Sequence, residues 1–281
     1  MLSTIVVVPC YNEAERIQRN AFLEFAESHV NIRLLFVNDG STDTTLDVLK
    51  SMAAEAPGQI DVCDLPQNGG KAEAVRQGML AALSTETECV GFLDADLATP
   101  LDALPLFVDV LRRRMEVEAV IGSRACLLGR RINRNGRRKL LGRLFATVAS
   151  QFLGISIMDT QCGAKLFRGS HDLKLALSEP FLARWIFDVE LLSRLKQQRQ
   201  SSHQSPLADV IFEQPLDEWF EIPGSKLKAT DFLKAPWELL QIYSRYLSPW
   251  SGGKPQPTLA EPLMQPFQSQ PEDVIPFRRA A

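Results

Sequence analysis

Two carboxylates stand directly after a short apolar run in the first half of the chain. Asp94 and Asp96 follow Val90–Leu93, and carboxylates two residues apart at the end of a buried strand can converge on one hard cation. Mg²⁺ and Mn²⁺ prefer such oxygen ligands and keep coordination positions open for phosphate oxygens. The alternative is a solvated turn in which Asp96 caps the next helix. The pair therefore predicts a divalent-cation site that can bind phosphate groups.

Two other loops carry side chains suited to a nucleoside. Asp39 is the first residue of an Asp-Gly pair at residues 39–40 that predicts a turn, and its carboxylate could accept hydrogen bonds from a base imide or from ribose hydroxyls. In the segment Pro9–Glu13, Tyr11 is suited to stacking and Glu13 to a ribose contact. Both segments could also be plain loops that start helices, with Ser41 or Asp43 as a cap. Capping does not require Asp39, which favours the binding interpretation.

A basic segment lies in the middle of the chain. Residues 122–158 contain no Asp or Glu, and apolar residues at helical spacing follow the first arginines. A guanidinium group can donate two parallel hydrogen bonds to the oxygens of one phosphate. An apolar stripe beside such arginines can lie on a lipid surface. The alternative is a solvated loop before a core helix. The segment predicts an acceptor-phosphate site, for which the candidates are Arg124, Arg134, Arg137 and Arg138, with Arg130 and Arg131 beside them.

The elements that would position these residues alternate along the chain. Short β-branched runs separate stretches of helical period, which predicts βαβ units and a mostly parallel central sheet flanked by helices. Ligands of such sheets bind beyond the carboxyl ends of the strands. The predicted strands are Thr4–Val8, Arg33–Val37, Ile60–Leu65, Val90–Leu93 and Ala119–Ile121, and the predicted helices include Thr44–Ala54, Ala72–Leu83 and Leu101–Arg114.

Composition excludes several classes of protein. The 281 residues are 45% hydrophobic and 23% charged with a net charge of −3, which favours one sizeable core and no nucleic-acid partner. Five scattered cysteines indicate neither a disulfide framework nor a zinc site. Because no apolar stretch of membrane-spanning length and no signal peptide is evident, we expect a cytoplasmic protein. Residues 251–281 hold six of the 17 prolines and are predicted to be a disordered tail.

Four motifs in register carry a family resemblance. VVVPCYNEAERI, VNDGSTD, NGGKAEAVRQG and FLDADLATP resemble the family 2 glycosyltransferases with the GT-A fold. DTQCGAKLF, RWIFDVELL and WFEIPGSKL are similar to the dolichyl-phosphate β-glucosyltransferase branch and, more loosely, to other polyprenyl-phosphate glycosyltransferases. The resemblance covers residues 1–245, as a nucleotide-sugar-binding half (1–125) and an acceptor half (126–245). Eukaryotic members of that branch have an N-terminal membrane helix, whereas this chain starts at its first strand, so we expect only peripheral contact with the inner face of a membrane.

The resemblance also implies roles for individual residues. The acidic position near the reacting sugar corresponds to Asp188, and Asp96 would ligate the cation. Asp94 would contact both the ribose and the metal side of the donor. The residues implied to hold the uridine, or as the alternative a guanosine, or to line the nucleotide pocket are Pro9, Tyr11, Glu13, Asp39, Gly70 and Lys71.

These features together lead us to expect a metal-dependent, inverting hexosyltransferase. The expected donor is UDP-glucose, the cofactor Mg²⁺ or Mn²⁺, and the acceptor a polyprenyl or dolichyl phosphate. A phosphate monoester is already anionic, so Asp188 would then orient groups and would not act as a base. The alternative is a soluble or glycan hydroxyl acceptor, which must lose a proton to a general base. A glycine-rich phosphate loop, which a nucleotidylyltransferase or an NAD-binding protein requires, is absent after the first strand.

Overall fold

The computed structural model of the chain describes residues 2–133, 136–222 and 229–248, and at 136–141, 143, 144 and 229–233 it describes the backbone alone. The strands in these ranges are β1 Thr4–Cys10, β2 Ile32–Asp39, β3 Ile60–Leu65, β4 Cys89–Leu93, β5 Ala119–Ser123, β6 Arg131–Asn133, β7 Ala164–Arg168, β8 Ile211–Pro215 and β9 Glu218–Phe220. The helices are α1 Arg19–Ser28, α2 Thr45–Glu55, α3 Lys71–Leu83, α4 Ala103–Arg113, α5 Gly136–Leu153, α6 His171–Leu177, α7 Phe187–Ser201, α8 Leu207–Val210 and α9 Ala229–Ile242. One π-helical turn, Tyr243–Leu247, continues α9.

Seven of these strands form one sheet in the order β3-β2-β1-β4-β7-β5-β8. All neighbouring pairs are parallel except those of β7, which runs antiparallel to β4 and to β5. The predicted mostly parallel sheet is therefore confirmed. β6 and β9 form a separate parallel pair.

Helices cover both faces of the sheet. Alternate residues of each strand point to opposite faces, so Val7 faces one apolar layer and Val8 the other. Helices α1, α2 and α4 supply the layer that contains Val8. Helices α3, α5, α6, α7 and α9 supply the layer that contains Val7. Burial on both faces explains why β1 reads as a nearly continuous apolar run.

The carboxyl ends of β1, β2, β3, β4 and β5 lie at one edge of the sheet, because these strands run in the same direction. Since β7 runs the other way, its first residue, Ala164, pairs with Leu93 at that same edge. The loop before β7, residues 159–163, therefore lies beside the residues that follow β4. The antiparallel strand thus adds a second source of side chains to the edge predicted to bind ligands.

The strands and helices predicted from the sequence are present, and four of the five strands are longer than predicted. β4 begins one residue earlier, at Cys89, and β5 continues to Ser123. β1 continues to Cys10 and β2 to Asp39. The amphipathic helix of the basic segment is present as α5, but β6 occupies part of the predicted loop before it. β7 and β8, which come from the predicted acceptor half, join the same sheet as the strands of the first half. The predicted tail, 251–281, lies outside the described residues.

Candidate functional site

The Asp94–Asp96 pair lies at the carboxyl end of β4, against the loop that precedes β7. The amide of Asp94 donates to the carbonyl of Gly163 (2.9 Å), and Asp96 Oδ1 accepts from the amide of Ala98 (3.0 Å). Burial raises the pKa of Asp96, and the neighbouring Asp94 charge raises it further. Two carboxylates that repel each other in a partly desolvated position are suited to a divalent cation.

Gly163 leaves room for the Asp94 carboxylate. A Cβ atom at position 163 would lie 2.2 Å from Asp94 Oδ2 and 2.4 Å from its Cγ, which is far inside contact distance. The backbone of the loop therefore forms one wall around this carboxylate. Sequence analysis placed Gly163 in a family motif without assigning it a role, because the contact joins residues 69 positions apart.

Lys71 neutralises part of the charge at this edge. Lys71 is the first residue of α3. Its Nζ lies 2.5 Å from Asp94 Oδ1 and 5.9 Å from the centroid of the Phe187 ring. Desolvation of the ammonium acts to lower the pKa of Lys71, but the net shift is upward because Asp94, Asp188 and Asp96 attract the positive charge. The structure thus brings together Lys71 and all three carboxylates predicted to be catalytic.

Asp39 holds the loop that leads into α3. Its two carboxylate oxygens accept hydrogen bonds from the amides of Gly69 (2.8 Å) and Gly70 (2.9 Å). Burial raises the pKa of Asp39, and these two amides oppose that rise. Gly70 adopts φ +89° as the residue before α3, a conformation that favours glycine. Asp39 therefore shapes the predicted nucleotide pocket, and its contact with a uracil remains a prediction.

The loop after β1 packs against the loop after β2. Asn12 adopts φ +49°, and its amide donates to Ser41 Oγ (3.0 Å). The Glu13 amide donates to Thr45 Oγ1 (2.8 Å), and its carboxylate lies 3.7 Å from Arg16. Pro9 and Tyr11, which flank Cys10, are partly buried. The four predicted nucleoside contacts Pro9, Tyr11, Glu13 and Asp39 thus lie on adjacent strand ends, and their binding of a nucleoside remains a prediction.

Arg124, a predicted phosphate contact at the end of β5, is held by an acidic partner that sequence analysis missed. Its Nε and Nη2 donate to Asp159 Oδ2 and Oδ1 at 2.6 and 2.7 Å, and its Cζ lies 5.4 Å from the centroid of the Trp219 ring. Desolvation acts to lower the pKa of Arg124, but Asp159 raises it overall. Asp159 is positioned in turn by Glu213, whose carboxylate accepts from the amides of Met158 and Asp159.

Asp188, near the start of α7, pairs with a lysine that sequence analysis missed. Its Oδ1 lies 2.5 Å from Lys165 Nζ, and both side chains are almost fully buried. Lys165 also donates to the carbonyl of Cys162 (2.7 Å). The signal in the sequence is a lysine within an otherwise apolar strand, AKLF. A buried ammonium requires a partner, but the sequence does not identify which of 34 acidic residues supplies it.

Two arginines of the basic segment have acidic partners that were not predicted. Sequence analysis found no acidic partner for Arg130 and Arg131, yet the structure pairs them with Asp217 and Glu218. The reason is that β6 pairs with β9, which brings residues more than 80 positions away alongside. Arg134 lies outside the described residues. Arg137 and Arg138 lie in the first turn of α5, where the structure describes no side chains.

The described residues contain neither a membrane-spanning helix nor a larger group of potential metal ligands. No helix there is long and apolar enough to cross a membrane. No group of three or more His, Cys, Asp or Glu side chains is arranged there as a cation site. A pair of carboxylates still fits Mg²⁺ or Mn²⁺, because Mg²⁺ usually binds one or two carboxylates together with substrate phosphates and waters.

Comparisons with known proteins agree with this geometry. Residues 5–174 match the sequence profile described as Glycosyl transferase family 2. A dolichyl-phosphate beta-glucosyltransferase from Trichomonas vaginalis is 34% identical over 251 residues, which cover 85% of this chain and 70% of that protein. The dolichyl-phosphate beta-glucosyltransferase of Drosophila melanogaster is 34% identical over 264 residues, which cover 88% and 76%.

Solved structures show the same fold. Glucosyl-3-phosphoglycerate synthase from Mycobacterium tuberculosis, crystallised with Mn²⁺, uridine diphosphate and glucosyl-3-phosphoglycerate, superposes with a TM-score of 0.62 at 21% identity. The match covers 86% of this chain and 80% of that one. The same enzyme crystallised with Mn²⁺, UDP-glucose and phosphoglyceric acid gives a TM-score of 0.61. The predicted GT-A fold is therefore confirmed.

Proposed function

The chain belongs to glycosyl transferase family 2, and on that premise we propose that it transfers glucose from UDP-glucose to a polyprenyl phosphate of the dolichyl type, with inversion. The observation that carries the proposal is the cluster of Asp94, Asp96, Asp188 and Lys71 at the carboxyl edge of the sheet. The names of relatives at 34% identity supply the acceptor class and the β-configured product. Because the sugar of UDP-glucose is α-linked, a β-linked product requires inversion.

The donor would lie across the edge from the β1 and β2 loops to the Asp94–Asp96 pair. Asp94 and Asp96 would hold Mg²⁺ or Mn²⁺, which would offset the negative charge of the departing diphosphate. The ammonium of Lys71, already drawn toward Asp94, faces the same charge. Asp39, Tyr11 and Glu13 would hold the uridine, with Asp39 also fixing the Gly69–Gly70 backbone of the pocket.

Asp188 would orient the sugar or the acceptor. Its Oδ1 is 2.5 Å from the ammonium of Lys165, a pairing that fixes the carboxylate in one position. A fixed carboxylate can accept hydrogen bonds from sugar hydroxyls and hold the anomeric carbon in line with an incoming oxygen. A phosphate monoester needs no deprotonation to attack, so the reaction does not require a general base at this position.

The acceptor phosphate would approach from the side of Arg124 and the basic segment. Asp159 and Trp219 hold the Arg124 guanidinium in place, and Arg134, Arg137 and Arg138 would add charge near the lipid. Leu127 and Leu128, on the loop between β5 and β6, expose 48% and 102% of their surface. Exposed leucines beside arginines support peripheral contact with the cytoplasmic face of a membrane.

A direct assay tests the proposal. Purified protein receives UDP-[¹⁴C]glucose and Mn²⁺ with liposomes that contain dolichyl phosphate, and label is measured in the organic phase. We expect label in a lipid product that mild acid releases as glucose, and none with Asp96→Asn or in EDTA. Liposomes that contain dolichol without its phosphate are the control.

Other outcomes would replace the proposal. Transfer to free sugars or to phosphoglycerate, with none to dolichyl phosphate, would favour the soluble-acceptor alternative. Equal activity with GDP-mannose in place of UDP-glucose would contradict the donor assignment. Label transfer that is unchanged in EDTA would contradict the requirement for a cation.

A further inference from the structure

Lys165 occupies a position at which the fold alone would favour an apolar residue. It lies in β7, where it pairs in register with Phe92 of β4 and with Ile121 of β5. Its side chain is 1% exposed, although charged residues are almost never buried to this extent unless they are paired. Its ammonium lies 5.3 Å from the centroid of the Phe92 ring. A charge at this position indicates a requirement beyond packing.

The two hydrogen-bond partners of Lys165 belong to different parts of the fold, one to a helix and one to the loop before β7. One is Asp188 Oδ1 at 2.5 Å, near the start of α7, and the other is the carbonyl of Cys162 at 2.7 Å. Cys162 precedes Gly163, whose backbone forms the wall against the Asp94 carboxylate. One buried ammonium therefore connects the predicted sugar-orienting carboxylate to the loop that positions the first carboxylate of the cation pair.

We infer that Lys165 is a positioning residue for the transfer reaction. It holds the Asp188 carboxylate in one orientation, at a fixed separation from the Asp94 side of the site. This inference rests on the proposed function, because it takes Asp188 to orient the sugar or the acceptor. Lys165 is too buried to touch either substrate, so it acts only through Asp188 and the Cys162–Gly163 backbone.

A cycle of substitutions tests this role on the full chain. We compare wild type, Lys165→Met, Asp188→Asn and the double variant by kcat and donor KM with UDP-glucose and dolichyl phosphate, and by Tm. A misplaced reacting group costs about 10²-fold in rate. We therefore expect Lys165→Met and Asp188→Asn each to lower kcat by about that factor, with donor KM within about twofold of wild type. The double variant should be no slower than Asp188→Asn.

Thermal stability gives a second readout that does not depend on turnover. Lys165→Met leaves the Asp188 carboxylate buried without the ammonium group that pairs with it. The loss of one partner of a buried ion pair is strongly destabilising, so Tm should fall by several degrees. The double variant removes both charges and should recover most of that loss, while its kcat stays about 10²-fold below wild type. A purely structural lysine would predict that Lys165→Met, assayed below its own Tm, keeps a kcat close to that of wild type.

Arg199→Met is the matched control, on the helix that carries Asp188. Arg199 lies at the far end of α7 and, like Lys165, binds one carboxylate, Glu118 (2.6 Å), and one backbone carbonyl, Ser205 (2.7 Å). We expect its loss to lower Tm and to leave the kcat of the folded protein unchanged. Rate losses that multiply in the double variant, or a kcat for Lys165→Met above half of wild type, would overturn the inference. A wild type that does not turn over UDP-glucose would instead overturn the proposed function.

Discussion

At the scale of single residues, burial of the Asp94–Asp96 pair has opposite effects on stability and on function. The pKa of Asp96 is raised, chiefly by burial, so its ionised form is less favourable in the folded chain than in the unfolded one. This penalty is fully present above the folded pKa and disappears as the pH falls below the unfolded value near 3.8. A cation bound to the folded state would offset the penalty.

The first prediction follows from this balance. Asp96→Asn should raise the Tm of the metal-free protein at pH 7, because it removes the disfavoured charge, and it should abolish transfer. Mn²⁺ should raise the Tm of the wild type but leave that of the variant unchanged. The measurements are thermal unfolding with and without Mn²⁺ and the lipid-transfer assay. A lower Tm for the metal-free variant would contradict the inference that burial disfavours the charge of Asp96 in the folded protein.

Gly163 provides a second test at this scale. Gly163→Ala places a methyl group where the Asp94 carboxylate now lies, at 2.2 Å from Oδ2. Because a side chain can rotate away at little cost to the fold, we expect Tm to change by only a few degrees. The displaced carboxylate should lower kcat by about 10- to 10²-fold. Circular dichroism and initial rates measure both effects, and full activity in a folded variant would show that Asp94 has no positional role.

At the scale of elements, the antiparallel strand β7 explains which parts of the site could be predicted. Strand ends of β1, β2, β4 and β5 are marked by β-branched runs and by the polar residues that follow, so Asp39, Asp94 and Arg124 could be found from local pattern. β7 and β8 were missed because Lys165 interrupts the apolar run AKLF, and because Glu213 and Gln214 make IFEQP look like a loop. Their pairing depends on residues far away in the sequence, which no local pattern encodes.

The loop between α5 and β7 carries a prediction of its own. Asp159→Asn removes the charge that holds Arg124, whose side chain is 14% exposed against 9% for Asp159. Breaking a buried ion pair typically costs about 3–5 kcal/mol of folding free energy, and the released guanidinium should bind the acceptor phosphate less well. We expect a higher KM for dolichyl phosphate with donor KM nearly unchanged.

Chemical unfolding and steady-state kinetics with each substrate varied in turn measure these effects. Glu116→Gln is the control, since it weakens a pair with Arg114 that is exposed on both sides and should change stability very little. An unchanged acceptor KM for a folded Asp159→Asn would assign Arg124 a structural role.

At the scale of the whole molecule, the two faces of the sheet carry different surfaces. α4, on one face, exposes Arg112 and Arg113, which pair with Asp109. α5, on the other face, begins with Arg137 and Arg138 and follows the exposed leucines Leu127 and Leu128. If the protein approaches a membrane from the acceptor side, only the second set of arginines should face anionic lipid.

Charge reversals of equal size distinguish the arginines of the basic segment from those of α4. Arg134→Glu/Arg137→Glu and Arg112→Glu/Arg113→Glu each change the net charge by the same amount, and Arg137 and Arg112 belong to helices on opposite faces of the sheet. Each basic residue near an anionic surface contributes about 1 kcal/mol, so removing two should weaken liposome binding by roughly 30-fold. Only the first variant should bind poorly and lose transfer to dolichyl phosphate, while slow hydrolysis of UDP-glucose continues in both. The difference should shrink as salt rises, because added ions screen exposed charges. Equal liposome binding by both variants at low salt would place the lipid contact elsewhere.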